Sequence, residues 1–149
     1  MSDNYLSLIP VNPEYIPETL SSEEAQRLLT AFLPYADEVR VTITNEIKFI
    51  DQGSNWERVL CPICGSERDV SWWQEAMATA YGTKFTNLVV VLPCCHNECS
   101  LNNLKYEWPA GFARFVLEVW NPGADLTEAQ IHTLEQKLGC ALRKIWAHH

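Results

Sequence analysis

Five of the six cysteines in this 149-residue chain fall into two tight groups. The first reads Cys61-Pro-Ile-Cys64-Gly65 and the second Pro93-Cys94-Cys95-His96-Asn97-Glu98-Cys99. Two thiolates separated by two residues, in a tight turn followed by glycine, can aim at one ion. The N–H groups of such a turn also offset the charge of the sulfurs. Zinc in a structural site takes four ligands in a tetrahedron, with Zn–S near about 2.3 Å. The first group supplies two ligands. The second offers a surplus: Cys94, Cys95 and Cys99, with His96 as a further ligand type. Neighbouring residues on a straight strand point to opposite faces, so Cys94 and Cys95 share an ion only if Pro93 turns the chain. Cys95 with Cys99 is the more relaxed spacing.

A redox dithiol is the competing chemistry, because Cys-Pro-x-Cys also occurs in glutaredoxin-like sites. There the motif opens a helix directly and needs no second cysteine group. Disulfides require an oxidising compartment. The amino terminus, MSDNYLSLIP, has no basic segment before its apolar residues, so a secretory signal is not expected. The longest apolar run, Leu88 to Leu92, is far short of the roughly 20 residues that span a bilayer. These readings point to a cytoplasmic chain away from the membrane, with reduced thiols and one structural Zn2+.

Other constellations are weaker. His96-Asn-Glu98 beside cysteines resembles part of the zinc-deaminase signature, but the cysteine order and spacing do not fit it. Gly-x-Ser-x-Gly, P-loop and Gly-x-Gly-x-x-Gly motifs are absent. His132 belongs to a helix surface or core edge, and His148 and His149 to a frayed end. The tryptophans, Trp72, Trp73, Trp108, Trp120 and Trp146 among them, are assigned mostly to the core.

The elements that must position the cysteines follow from periodicity. Residues 1–20 hold three prolines among apolar side chains and read as an extended arm lying over a single domain of residues 21–149. Ser21 and Glu24 form a capping-box pattern ahead of a helix with Ala25, Leu28, Leu29, Phe32 and Leu33 on one stripe, stopped by Pro34. Val39, Val41 and Ile43 alternate with polar residues as in a half-buried strand, continuing towards Ile50. A short strand from about Trp56 leads into Cys61, a helix is expected over 71–81, and a buried strand over 87–92 leads into the second group. Phe112 to Trp120 is a further strand. Asp125 and Glu128 suggest a second capping box before a helix whose stripe runs through Ile131, Leu134, Leu138, Leu142 and Ile145, with Gly139 inside it. The expected class is α+β, with an antiparallel or mixed sheet, helices mainly on one face and a zinc knuckle at strand ends.

Cys61-Pro-Ile-Cys64-Gly65, Leu92-Pro-Cys-Cys95, Ser100-Leu-Asn-Asn-Leu104 and Trp108-Pro-Ala-Gly-Phe-Ala-Arg-Phe115 together resemble a group of small uncharacterised bacterial proteins. The resemblance spans about residues 56–123, and its last stretch is the most specific. It implies Cys61, Cys64, Cys94 and Cys95 as the ligands and leaves Cys99 as an extra thiol. The chain departs from that pattern at His96, where glycine is expected, which makes His96 a substitute ligand. The resemblance implies no activity.

Charge narrows the function class. Lys and Arg number 11 against 19 Asp and Glu, a net charge of −8. Seven of those acids (Asp3, Glu14, Glu18, Glu23, Glu24, Asp37 and Glu38) lie in residues 1–38 against Arg27 alone, a net of −6. Phosphate binding needs clustered bases, which disfavours a nucleic-acid-binding knuckle. An acidic surface suits association with a basic protein partner. The expectation is therefore a zinc-stabilised protein-binding domain, of the immunity or antitoxin type found in bacteria. The alternative is a metal-dependent enzyme in which water replaces one cysteine.

Overall fold

A computed structural model describes residues 3–148 of the chain. In chain order the elements are β1 (Asn4–Pro10), α1 (Thr19–Phe32), β2 (Glu38–Ile50), β3 (Val59–Leu60), α2 (Val70–Tyr81), β4 (Val89–Val91), β5 (Glu98–Ser100), a 3₁₀ turn (Leu101–Asn103), β6 (Lys105–Tyr106), β7 (Gly111–Trp120), α3 (Glu128–Leu138) and β8 (Leu142–His148). The class is α+β. Four strands form an antiparallel sheet in the order β2-β7-β1-β8, and β3-β6 and β4-β5 are separate two-stranded sheets. No helix among the described residues is long and apolar enough to cross a membrane.

The four-stranded sheet carries α1 and α3 on one face, over Leu6, Leu8, Phe115, Leu117 and Val119. β2 and β7 are hydrogen-bonded neighbours, and residues 51–110 are an excursion between them that holds both cysteine groups. This insert has its own apolar cluster, in which Phe112 packs against Phe49 and Phe85, with ring centroids 5.1 and 5.2 Å away. The chain leaving β2 crosses to the opposite edge of the sheet. There Gly53 bridges to His148, and the Ser54 N–H donates to the His148 carbonyl at 2.9 Å.

Several expectations need correction. Asn4–Pro10 is extended, but it is an inner strand bonded to both β7 and β8, so no arm separates from a domain at residue 20. Leu6, Leu8 and Ile9 are fully buried; their apolar alternation supplies the centre of the core, and the prolines follow from position 10 onward. Helix α1 starts two residues before Ser21. The Ser22 N–H bonds the Glu18 carbonyl at 3.0 Å, and the Ser22 hydroxyl bonds the Thr19 carbonyl, so the Ser21–Glu24 box is not used. The second capping box is Thr127 with Gln130, closed in both directions, while Asp125 pairs with Lys144 instead.

The largest correction lies after Leu138. Gly139 takes a left-handed backbone (φ 75°) and caps α3 through its N–H to the Glu135 carbonyl, so the helix does not continue through Leu142 and Ile145. Those residues belong to β8, which pairs with β1 along its whole length. His148 is accordingly the last residue of a strand, bonded to Asn4, and not a frayed end. His149 lies outside the described residues. Strand β4 is also not buried: Val89 is 61% and Val91 55% exposed, and only Val90 between them packs inward.

Candidate metal centre

Strand β3 delivers Cys61 and β4 delivers Leu92, each at the start of a tight turn. In the first turn the Gly65 N–H donates to the Cys61 carbonyl (3.0 Å) and the Cys61 N–H to the Ser66 carbonyl (2.8 Å). In the second, His96 donates to Leu92 (2.8 Å) and Leu92 to Asn97 (2.9 Å). The two turns are the same structure, with Gly65 (φ 77°) and His96 (φ 60°) in the same left-handed place. Aligned this way, Pro62 matches Pro93 and Cys64 matches Cys95. Cys61, however, matches Leu92, a fully buried side chain. The second turn provides its other sulfur from Cys94, at the place of Ile63.

Cys61, Cys64, Cys94 and Cys95 are thereby brought together, with all four sulfurs within 4.8 Å of one another. Cys61 Sγ lies 3.8 Å from Cys95 Sγ, and Cys64 Sγ 3.4 Å from Cys94 Sγ. All six cysteines are free of disulfides. Cys99 is paired on β5 opposite Val90 and packs with the insert's apolar cluster, outside the group of four. His96 is exposed and also outside it. Its role is conformational, holding the left-handed corner that glycine holds in the first turn.

Local donors prepare the sulfurs unequally. Burial raises the Cys61 thiol, but the N–H groups of Cys64 and Ile63, both 3.4 Å from Cys61 Sγ, outweigh it and leave the thiol below its ordinary value. Cys64 is lowered by the Ser66 hydroxyl, 3.1 Å away, and by the Ser66 N–H. Cys95 is lowered by the Asn97 N–H and then by the Asn97 side chain. At Cys94 the Ser66 hydroxyl lowers the thiol, but burial and the neighbouring Cys64, Cys61 and Cys95 outweigh it and push it up to about 11. Three sulfurs are shifted towards the thiolate and the fourth carries the cost of crowding.

Ser66 and Asn97 were not singled out from the sequence. Their shared signal is position: each follows the left-handed residue after Cys64 or Cys95. Behind the turns, Trp73 Nε1–H donates to the Tyr106 hydroxyl (3.2 Å), which donates to the Leu101 carbonyl (2.8 Å). No family model, curated protein or solved structure matches the chain.

Proposed function

We propose that Cys61, Cys64, Cys94 and Cys95 hold one structural Zn2+, and that the chain acts by binding another protein. The observation that carries the metal reading is the closed set of four sulfurs. A tetrahedron with Zn–S near 2.3 Å has S–S edges of about 3.8 Å, against which Cys61–Cys95 stands at 3.8 Å and Cys64–Cys94 at 3.4 Å, with all four sulfurs within 4.8 Å. Four thiolates leave no position for a substrate or a water, which favours a structural over a catalytic ion. The ion's charge would offset the crowding that raises Cys94, with release of its proton. Elemental analysis of protein purified without chelator should find one equivalent of zinc. Less than about a tenth of an equivalent refutes the metal reading.

The partner we propose is a protein with a basic surface, with an immunity-type role as the specific case. Its support is the exposed acid of residues 1–38, where Glu14, Glu18 and Glu23 face solvent around the start of α1, beside Leu20 (73% exposed). Reversing these three glutamates to lysine should slow association steeply at low salt, because exposed charges act mainly on the on-rate. Binding at an unchanged rate to a partner captured from the native host refutes this surface.

A further inference from the structure

A second candidate site lies on the four-stranded sheet, on the face turned away from α1 and α3. Register places its wall. Tyr5 is opposite Trp120 on one side and Ala147 on the other, and Ser7 is opposite Glu118. These side chains, with Phe49, Ile50 and Asp51 from the end of β2, line a cleft of about 390 Å³. Ser7 and Ala147 are the small residues that keep its floor low, while Tyr5 and Trp120 meet edge to face at 5.4 Å.

Among the described residues the lining holds two carboxylates and no base. One oxygen of Glu118 accepts from Trp120 Nε1–H, and the other makes no hydrogen bond among the described residues. Asp51 Oδ1 accepts from the Gly53 N–H at 2.8 Å. Arg40, opposite Glu118 on β2, does not line the cleft. Its guanidinium bonds Glu38 at 2.8 Å and lies 4.7 Å from the Trp120 ring centroid. Independent of charge, Ser7 is only 4% exposed, and its hydroxyl has no hydrogen-bond partner among the described residues. That hydroxyl opens onto the cleft, where no protein group competes for it and a ligand can bond it. Aromatic faces and edges beside carboxylates are what an organic cation needs: cation–π attraction, charge-assisted hydrogen bonds and an apolar floor for its carbon chain.

We propose that this cleft binds a small organic ammonium ion, with Glu118 as the charge partner, Ser7 as a hydrogen-bonding group and the Tyr5 and Trp120 rings as walls. The proposal is independent of the metal reading, and zinc content is expected to be the same with and without the ligand. The test is titration of the metal-loaded, ¹⁵N-labelled full chain with n-butylammonium chloride, with 1-butanol and sodium chloride as controls. The readout is the Trp120 indole N–H, identified by its loss in Trp120→Phe. A saturable shift is expected with the amine only. Glu118→Gln keeps an acceptor for the indole but should weaken binding at least about tenfold. Ser7→Ala should weaken it about threefold, and Glu75→Gln, on the exposed side of α2, should leave it unchanged. The proposal is overturned by an equal shift with butanol, by unchanged affinity in Glu118→Gln, or by no saturable shift up to about 50 mM amine.

Discussion

Asn102 joins the cysteine-bearing insert to the main sheet, and replacing it tests how much of the stability rests on that joint. It lies in the 3₁₀ turn after β5 and is 5% exposed. Its Oδ1 accepts from the Phe112 N–H (3.2 Å) and from Arg143 Nη1 (3.0 Å), and its Nδ2 donates to the Val11 carbonyl (3.0 Å). Arg143 also donates to the carbonyls of Asn102 (2.8 Å) and Ala110 (2.9 Å). In Asn102→Ala the Phe112 N–H loses its side-chain acceptor in a fully buried position, a cost of about 1–3 kcal/mol. Arg143 keeps two of its three bonds, so its loss is about 1 kcal/mol. Val11 is 42% exposed and its carbonyl can turn to water, which adds little. The expected destabilisation is about 2–4 kcal/mol. In urea, with a slope of about 2 kcal/mol/M, the midpoint falls by about 1–2 M at unchanged slope. Far-UV circular dichroism and tryptophan fluorescence of protein purified without chelator should agree on that shift. Asn102→Asp keeps both acceptor contacts and places a carboxylate on Arg143, so its cost should stay below about 1 kcal/mol. The reasoning fails if Asn102→Ala stays within about 0.5 kcal/mol of the parent, or if Asn102→Asp is equally destabilised.

Three further outcomes follow from the turns and the thiols. Cys61→Ser and Cys95→Ser should each lose the metal, whereas Cys99→Ser should retain one equivalent by elemental analysis. His96→Gly should raise the thermal midpoint modestly: left-handed backbone costs a side-chain-bearing residue about 1–2 kcal/mol, and glycine's greater unfolded freedom returns about 0.5–1 of that. Gly65→Ala should lower it for the converse reason; a Cβ there meets nothing within 4 Å, so the cost is purely of the backbone. Cys140 packs at the edge of the main core, where burial and then the charge of Glu135 push its thiol from 9.0 up to about 11. The unfolded thiol ionises first, so the native state should lose this contribution as pH rises from about 9 to 11. Chemical denaturation across that range should show a shallower decline in Cys140→Ala.

Local chemistry made much of the four-cysteine cluster readable in advance. Pro and Gly around Cys61 and Cys64 specify a tight turn whichever fold surrounds it, and the second group repeats its proline and second cysteine, with Leu92, Cys94 and His96 in the places of Cys61, Ile63 and Gly65. The choice of Cys94 over Cys99 followed from the resemblance. The structure shows why the relaxed Cys95–Cys99 spacing loses: the left-handed corner at His96 turns the chain back, so Cys99 is carried away along β5. Alternation likewise announced β2 and β7, and helical spacing announced α1 and α2.

Elsewhere local signals were ambiguous, and long-range pairing decided the outcome. Leu142 and Ile145 suit a helical stripe as well as a strand, because a spacing of three does not separate them once Gly139 has ended α3. What selects the strand is the free edge of β1, whose N–H and C=O groups need partners that only residues 142–148 supply. The same pairing turns the apolar segment Asn4–Pro10, ahead of the remaining prolines, into the second inner strand of the sheet. The cleft of Tyr5, Ser7, Glu118 and Trp120 was invisible for a related reason. Its members come from strands more than a hundred residues apart, and only the β1–β7 register sets them on one face. A turn is governed by neighbouring torsions and can be read from a few residues. A strand is completed by a partner chosen from the rest of the chain, so its place and its exposed face belong to the tertiary structure.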